Sequence, residues 1–364
     1  MNYSQKIQRL KDRRQGLYSR DGVYNFVEAI TGTSKLEKFQ QLAEPEAVKY
    51  AIGAMQAVDP EYTQKSYAEG NRVRDRLAEG LSTAGIPAVF DYQGSVPLDV
   101  HVRGNSDIDL LVLHDGFVTV EAAAQAAYTY LDAPGKAPAE ELADLRKECI
   151  AILERRFWGA KVDSSPSKAI TLTGGSLQRA VDVIPSHWHD TLDWKRTGDK
   201  RYRDIYVFDS KAAQRMKNRP FMHIGLIEDK CIAVRGGLRK CIRLMKNLRY
   251  DASKTIDLSS YDIAAIAWHM TDQELVVPFG VDLLLVERVR AHLKFLLDLP
   301  AYRDVLLVPD ASRRIFDKPE KADALANLYK EVERLSSDLA REINPLAAYA
   351  GLPCNQVLNK AIIL

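Results

Sequence analysis

Residues 93–113 read QGSVPLDVHVRGNSDIDLLVL, and this stretch says more about the fold than any other part of the chain. An apolar run that opens with Asp107 and Asp109 predicts a strand over 107–113, and a second short strand precedes it over 88–92. Alternate residues of a strand point to opposite faces, so the two carboxylates should share one face while the apolar residues between them face a core. The stretch therefore predicts a small sheet with a pair of acids at one edge.

The spacing of the two aspartates suits a metal site. Residues i and i+2 of a strand lie about 6.6 Å apart along the backbone, and carboxylates at that spacing can converge on metal ions about 3.5–4 Å apart, as in two-metal phosphoryl transfer. Magnesium prefers such oxygen ligands and completes its shell with water and substrate phosphates. On its own the motif is weak, because paired aspartates at strand starts are often only solvated.

Two further features strengthen this interpretation. Gly94-Ser95 directly follows the first strand, where glycine lets the backbone approach a phosphate and the exposed amides and hydroxyl can hold its oxygens. Asp182 lies inside the apolar run 179–185, where an isolated carboxylate is costly unless it is paired or binds a metal. The alternative for Asp182 is an edge strand that turns this carboxylate to solvent.

The rest of the chain predicts an α+β protein. Strands over 168–173 and 179–185 are joined by Gly174-Gly175-Ser176, which indicates a hairpin, and helical patterns surround the strands. Beyond residue 205 the pattern predicts almost only helices. The predicted helices are 62–81, 119–132, 138–158, 236–250, 260–271, 279–298 and 318–342.

Three parts follow from these patterns. We expect an N-terminal helical arm over 1–60, a lobe with a small mixed sheet and a long leading helix over 61–205, and a helical C-terminal lobe over 206–364. A cleft between two such lobes is a common place for a ligand.

Composition excludes several classes of protein. The 364 residues include 46% hydrophobic and 27% charged residues, which is ordinary for a soluble globular protein and unlike a disordered, collagen-like or coiled-coil chain. The four cysteines lie far apart, without the spacing of a zinc site. The N-terminus lacks a signal-peptide core and no run of about 18 apolar residues occurs, so we expect a cytoplasmic protein with no membrane span.

The net charge of +2 conceals an uneven distribution. Eleven Lys and Arg residues but only two acids fall between Lys211 and Tyr250, which gives this segment a charge of +9 and the remainder −7. Within it, Arg239, Arg243 and Lys246 recur on one face of a predicted helix. Such a basic face is either a solvated surface or a binding site for anions.

Taken together, these motifs resemble those of the polymerase-β-like nucleotidyltransferases. More narrowly, the sequence is similar to the family of animal cyclic GMP-AMP synthase, oligoadenylate synthase and the bacterial cyclic-oligonucleotide synthases of anti-phage systems. The resemblance is carried by Gly94-Ser95, by RGNSDID over 103–109 and by DVIP over 182–185, and it spans roughly residues 60–300. It implies a nucleotidyltransferase lobe and a helical lobe, with the active site in the cleft between them.

The resemblance also implies the catalytic residues. Asp107 and Asp109 would hold two Mg²⁺ ions, and Asp182 would hold the ion beside the acceptor hydroxyl; Mn²⁺ can substitute for magnesium in such sites. Further nucleotide-binding residues by the same resemblance are Gln93, Gly94, Ser95, Lys246, Ser260 and Tyr261.

The helical lobe supplies part of that set. Lys246 resembles a family lysine that touches the donor triphosphate, while Ser260 and Tyr261 resemble a serine that binds phosphate and a tyrosine that stacks on a base. The predicted additional phosphate contacts are Arg103, Arg239 and Arg243.

The function that the resemblance implies is the joining of NTPs into a cyclic di- or trinucleotide, with release of pyrophosphate, as an alarm signal in anti-phage defence of the CBASS type. The substrates would be ATP, another NTP or both. A downstream effector would respond to the product rather than to the enzyme itself. We expect a monomer that requires neither nucleic acid nor a membrane.

Three alternatives stay open at the level of sequence. The first is another nucleotidyltransferase chemistry, such as tRNA or RNA 3′-end addition, polyadenylation or nucleotidylation of an antibiotic. The second is a non-catalytic nucleotide-binding relative, against which the three intact aspartates argue. The third is a nucleic-acid binder that uses only the basic helix, for which salt-sensitive binding is expected.

Overall fold

The computed structural model describes residues 2–14, 38–102, 106–130 and 135–363. They fall into two compact units, each built from separate stretches of the chain. The helical unit comprises Met1–Val58, Asp99–Ser106 and Ile227–Leu364, and the sheet unit comprises Asp59–Leu98 and Asp107–Leu226.

The secondary-structure elements are labelled in chain order. The chain up to residue 218 contains α1 (Tyr3–Arg14), α2 (Lys38–Gln41), α3 (Glu46–Met55), α4 (Pro60–Thr83), β1 (Ala88–Gln93), β2 (Ile108–Val120), α5 (Ala122–Ala127), α6 (Pro138–Arg156), β3 (Lys161–Asp163), β4 (Ile170–Thr173), β5 (Val181–Asp190), α7 (Leu192–Thr197), a 3₁₀ turn (Lys200–Tyr202), β6 (Asp204–Asp209) and β7 (Gln214–Asn218). The remainder contains α8 (Pro220–Ala233), α9 (Gly237–Asp251), α10 (Ser260–Trp268), α11 (Asp272–Leu275), α12 (Leu284–Asp298), α13 (Pro300–Arg303), α14 (Glu320–Ile343), α15 (Pro345–Tyr349) and α16 (Cys354–Leu358).

A mixed seven-stranded sheet organises the sheet unit. Its main path is β1-β2-β5-β4-β3, and β6 and β7 extend from β5. One edge of β5 pairs parallel with β2, while its other edge pairs antiparallel with β4 near its start and with β6 near its end. Because β2 and β5 are parallel, their first residues lie side by side at one end of the sheet.

Both faces of this sheet are buried. The residues of β2 that alternate from Ile108 pack with α4 and α6 in one core, which includes Leu77 and Leu142. The opposite face carries Leu111 and Ile184 into a second core. Burial of a leucine-sized side chain contributes about 1.5–3 kcal/mol, so the two cores fix the faces that β2 and β5 present. The prediction that the apolar residues next to the acids face a core is confirmed.

α4 leads into the first of these cores from a capped N-terminus. The Asp59 carboxylate accepts a hydrogen bond from the Glu61 backbone N–H, and Pro60 occupies the first turn, where the helix needs no N–H donor. The helix is therefore two residues longer at each end than the predicted 62–81.

The helical unit incorporates the N-terminus of the chain. α1 buries Leu10, and the Arg13 guanidinium donates to both carboxylate oxygens of Asp251 at 2.6 and 2.7 Å. Nearer the start of α1, Lys6 Nζ lies 2.7 Å from a carboxylate oxygen of Glu331. These ion pairs are buried, so breaking one would leave an uncompensated charge in the interior.

The structure corrects two sequence-based expectations and excludes one alternative. The segment predicted as a separate arm over 1–60 belongs, as far as Val58, to the same unit as the C-terminal helices, because α1 buries its apolar and ionic side chains there. The chain beyond residue 205 is not almost wholly helical, since β6 and β7 extend the sheet as far as Asn218. The alternative of an edge strand for Asp182 is wrong, because β5 is paired on both sides.

The expected mixture of a sheet with flanking helices and the β4-β5 hairpin are confirmed. No helix among residues 2–14, 38–102, 106–130 and 135–363 has the length and apolar character that a membrane span requires.

Candidate active site

The strand register places four polar residues in one row across the sheet, here called the register row. Gln93 of β1 pairs with Asp109 of β2, Asp109 pairs with Asp182 of β5, and Asp182 pairs with Thr171 of β4. Neighbouring strands lie about 4.8 Å apart, and directly paired residues point to the same face of a sheet. The two aspartates, separated by more than seventy residues in sequence, are thus neighbours.

Asp107 lies one residue before β2 begins. It precedes Asp109 by two positions, and both side chains are half-buried while Ile108 between them is buried. The predicted alternation of acids and apolar residues is therefore confirmed at the start of this strand.

Gly94 lies against the Asp109 carboxylate. Its φ of +82° is in the left-handed region, and a Cβ added to it would stand 2.1 Å from Asp109 Oδ2. A side chain at this position would therefore collide with a predicted metal ligand, quite apart from the backbone strain. Ser95 follows directly and is half-buried. From the sequence, this dipeptide was predicted to form a turn that binds a phosphate. The structure adds the close approach of Gly94 to the Asp109 carboxylate.

Asp182 is held by a residue that the sequence analysis missed. Thr171 Oγ1 donates a hydrogen bond to Asp182 Oδ1 at 2.6 Å. A bond of this kind fixes the rotamer of the carboxylate, as hydrogen bonds to metal-ligating carboxylates commonly do. The signal that could have found Thr171 is the hairpin itself, because a threonine opposite an aspartate on neighbouring strands is within bonding distance.

Gln93 contains a polar atom that lacks a partner. Within the described part of the chain, its Oε1 is buried and accepts no hydrogen bond. Buried polar atoms are almost always satisfied in folded proteins, so an orphaned acceptor needs an explanation. Its position in the register row, next to Asp109, is the reason to keep Gln93 among the candidate binding residues.

The carboxylates suit magnesium in chemistry but are not gathered around one point. Within residues 2–14, 38–102, 106–130 and 135–363, no three His, Cys, Asp or Glu side chains form a group arranged to hold a metal ion. Asp109 and Asp182 nevertheless offer adjacent carboxylates, and magnesium usually takes one or two carboxylates plus water and substrate phosphates. The residues present therefore fit a metal ion that arrives with a triphosphate.

Lys246 lies deep inside the helical unit. Only 1% of the residue is exposed, and Nζ donates to the Val100 carbonyl oxygen at 2.7 Å. The alternative of a solvated basic face is therefore wrong for this residue. The contact with a donor triphosphate stays a prediction.

The arginines of the same helix are also engaged. Arg243 is buried and donates through Nη2 to the Asp99 carbonyl oxygen at 2.6 Å and to Asp99 Oδ2 at 2.5 Å. Burial raises the pKa of the Asp99 carboxyl, although the Arg243 charge opposes that shift. Arg239 forms an ion pair with Glu228. Arg103 lies outside the described residues, and its phosphate contact, like that of the other two arginines, stays a prediction.

Ser260 and Tyr261 begin α10. Ser259 caps this helix, and Ser260 is half-buried in its first turn. Tyr261 donates its hydroxyl to Asp310 Oδ2 at 2.5 Å, and the Arg313 guanidinium lies 5.4 Å from the centre of its ring. Burial, reinforced by the nearby Asp310 charge, raises the pKa of the Tyr261 hydroxyl. Stacking of Tyr261 on a base and phosphate binding by Ser260 stay predictions.

Comparison with known proteins decides the family. The sequence is 34% identical to the cyclic dinucleotide synthase CdnE of Yersinia aleksiciae over an alignment of 382 residues, which covers 99% of this chain and 98% of that protein. The chain belongs to the CdnE family of cyclic dinucleotide synthases. It is also 26% identical to a c-di-GMP synthase of Lachnospiraceae bacterium (strain RUG226), over 90% of this chain and 99% of that protein. No protein-family model matches the chain.

The solved structures agree with this assignment. The STING-associated CdnE c-di-GMP synthase from Capnocytophaga granulosa has a TM-score of 0.72 and 25% identity, and the match covers 93% of this chain and 99% of that one. The resemblance to bacterial cyclic-oligonucleotide synthases and the polymerase-β-like fold class are thereby confirmed. Since the CdnE family consists of nucleotidyltransferases, the predicted enzyme class is confirmed as well.

Proposed function

We propose that this CdnE-family enzyme joins two NTPs into a cyclic dinucleotide by magnesium-dependent nucleotidyl transfer. The observation that supports this proposal best is the register row, in which Asp109 and Asp182 are direct neighbours and Gly94 approaches Asp109 with no room for a side chain. Family membership supports the same reaction, because the relatives are cyclic dinucleotide synthases by name.

The three aspartates would bind the magnesium ions in different roles. Asp107 and Asp109 would bind both magnesium ions, and Asp182 would bind the ion beside the acceptor hydroxyl, with its second oxygen fixed by Thr171. Magnesium bound there would lower the pKa of the attacking hydroxyl and neutralise the charge of the departing pyrophosphate. The protein's contribution is to hold the carboxylates on two paired strands, so that acceptor and α-phosphate are positioned together.

The remaining predicted residues would bind the nucleotide. The backbone amide and hydroxyl of Ser95 and the exposed backbone of Gly94 would hold phosphate oxygens, and the orphaned Gln93 Oε1 would accept a hydrogen bond from substrate or from a bound water. Ser260 would contribute to phosphate binding, whereas Lys246, only 1% exposed and bonded to the Val100 carbonyl, is poorly placed to reach a phosphate. Tyr261 would stack on a base, for which it must release the Arg313 guanidinium or share its ring with it.

Two steps of the same chemistry would close the ring. The first transfer makes a linear dinucleotide that keeps its 5′-triphosphate, and the second uses the remaining hydroxyl against that triphosphate, so two pyrophosphates leave for each ring. We propose that the product is the signal of an anti-phage system and that an effector reads it. Addition of nucleotides to RNA or antibiotics is the weaker alternative, since the relatives named above make cyclic dinucleotides.

The test begins with the purified protein, all four labelled NTPs and Mg²⁺. Phosphatase treatment followed by mass spectrometry identifies cyclic products, because they have no terminal phosphate to lose. We expect a phosphatase-resistant dinucleotide and two pyrophosphates per ring. Products that grow with added RNA, or that carry a nucleotide on an antibiotic, would contradict the proposal.

The metal-binding assignment is tested by the double variant Asp107→Asn, Asp109→Asn. We expect it to release no pyrophosphate above background, because neutral amides bind Mg²⁺ poorly. The matched control is Asp91→Asn on the neighbouring strand β1, whose carboxylate forms an ion pair with Lys200. Turnover by the double variant at the rate of the wild type would contradict the assignment.

A further inference from the structure

A buried stretch of chain leads from the Gly94-Ser95 turn towards the two aspartates. It is not a surface loop, because four of its apolar residues are at most 4% exposed: Val96, Leu98, Val100 and Val102. Backbone carbonyls that are buried with these side chains require partners inside the protein. The residues that donate hydrogen bonds to these carbonyls therefore hold the stretch in place.

Two cations of α9 supply the partners. Arg243 donates to the Asp99 carbonyl through Nε at 2.9 Å and Nη2 at 2.6 Å, and Lys246 Nζ donates to the next carbonyl, that of Val100, at 2.7 Å. The two side chains are three residues apart, so they lie one above the other on the same helix face. Consecutive carbonyls of the buried stretch are thus bound by consecutive cations of one helix.

Asp99 gives the stretch a left-handed backbone step. Its φ is +54°, a left-handed value that is uncommon outside glycine and that aspartate adopts more readily than most residues. Arg243 binds both the carbonyl and the carboxylate of this residue, and Nη1 also donates to the Met55 carbonyl at the end of α3, 3.3 Å away. Arg243 therefore joins this residue to α9 and bonds the end of α3 with the same guanidinium.

A short connection carries this constraint to the aspartates. The Val102 backbone N–H donates to Ser106 Oγ at 2.9 Å, which ties the end of the buried stretch to the residue directly before Asp107. Val100 is bound by Lys246 only two residues upstream of Val102. The ammonium of Lys246 is thus linked to the start of the metal-binding pair through two hydrogen bonds, to Val100 and from Val102 to Ser106, with one residue of backbone between them.

We infer that Lys246 and Arg243 are positioning residues. They bind the buried stretch at Val100 and Asp99 and so hold Asp107 and Asp109 in the arrangement that metal binding requires. The inference rests on the proposed function, since it assigns the two cations to the same site. A fully buried ammonium is costly, and an apolar side chain of similar length would fill the same space without that cost. The cation provides a hydrogen bond to Val100 that the apolar side chain does not.

The experiment compares Lys246→Met with Lys246→Gln. Methionine fills the space but donates nothing, whereas glutamine keeps an N–H donor for the Val100 carbonyl without the charge that a triphosphate contact needs. The matched control is Lys240→Met, which removes an ammonium of the same helix that bonds Asp282. For each variant, kcat, the KM for NTP, the Mg²⁺ concentration at half-maximal rate and thermal unfolding are measured.

We expect Lys246→Met to lower kcat by about 30- to 100-fold and to raise the half-maximal Mg²⁺ concentration, with the KM for NTP changed by less than about threefold. Lys246→Gln should recover most of the lost kcat. A role in triphosphate binding predicts the opposite pattern: both variants would raise the KM for NTP equally and leave the Mg²⁺ requirement unchanged. That pattern would overturn the inference.

Hydrogen exchange of residues 96–102 separates this inference from the proposed function. In Lys246→Met the amides of this stretch should exchange faster than in the wild type and in Lys240→Met, because the Val100 carbonyl has lost its anchor. Equal exchange in all three proteins would overturn the positioning role whatever the activity. Absence of any cyclic product from the wild type would instead overturn the proposed function.

Discussion

Replacement of Gly94 by alanine is the sharpest single perturbation of the proposed site. The added Cβ would stand 2.1 Å from Asp109 Oδ2, whereas an ordinary contact between such atoms is above 3 Å. The carboxylate must therefore move by about 1 Å or more, or the Gly94 backbone must shift away from β2. Either change displaces a metal ligand, and a misplacement of about 1 Å can lower a rate about 100-fold.

The substitution also has a cost in stability. A non-glycine residue at a φ of +82° loses about 1–2 kcal/mol of folding free energy, independently of the clash. Gly174, in the turn between β4 and β5, separates the two effects, because its φ is +73° and an added Cβ there meets no atom within 4 Å. Gly174→Ala should therefore show the backbone cost without displacing a carboxylate.

The assay pairs urea unfolding with pyrophosphate release at saturating NTP. Both variants should lose about 1–2 kcal/mol in the free energy of unfolding, while only Gly94→Ala loses about 100-fold in kcat. Raising Mg²⁺ should restore part of that rate, since a displaced ligand weakens metal binding. The reasoning is refuted if Gly94→Ala turns over within about threefold of Gly174→Ala.

Three further predictions concern the same two units. Thr171→Val should raise the Mg²⁺ concentration at half-maximal rate about 10-fold without a change in the KM for NTP, because Asp182 loses the hydroxyl that orients it. An unchanged Mg²⁺ titration would argue against the orientation of Asp182 by Thr171. Burial lowers the pKa of His187 to about 4, so between pH 6.5 and 4 the unfolded chain binds more protons than the folded chain. The free energy of unfolding should therefore fall by up to about 3 kcal/mol as the pH is lowered across that window. In urea titrations at pH 7.5 and 4.5, His187→Gln should lose less stability than the wild type. Arg13→Met should lower the free energy of unfolding by about 3–5 kcal/mol, since it leaves the buried Asp251 carboxylate without its ion pair, whereas the exposed Arg9→Met should have almost no effect.

Local patterns were sufficient for part of the site. Alternation of acids and apolar residues over 107–113 predicted the start of β2 and the face that Asp107 and Asp109 share, because side-chain direction in a strand depends only on parity. An aspartate inside an apolar run likewise identified Asp182. These signals are contained in a few consecutive residues, so they can be recognised before the fold is known.

Partners that come from distant parts of the chain could not be predicted in this way. The row that joins Asp109 to Thr171 depends on strand register, which is fixed by the pairing of three strands rather than by any one of them. Helical periodicity placed Lys246 on a basic face, but its burial follows from the packing of residues 99–102 on α9. β7 was missed for a related reason, since QRMKN is a short polar edge strand with almost no apolar pattern.

The interleaving of the two units along the chain has a consequence for synthesis. The chain passes between the units four times, so neither can be expressed or removed as one continuous peptide. The first segment of the helical unit ends at Val58, and its main partner begins only at Ile227, about 170 residues later, which takes roughly 8–35 s of translation. During that interval α1, α2 and α3 can pack only on one another, because α9 and α14, which also contact α3, are not yet made. The nascent chain is therefore most open to chaperone binding or aggregation while the sheet unit is still being synthesised.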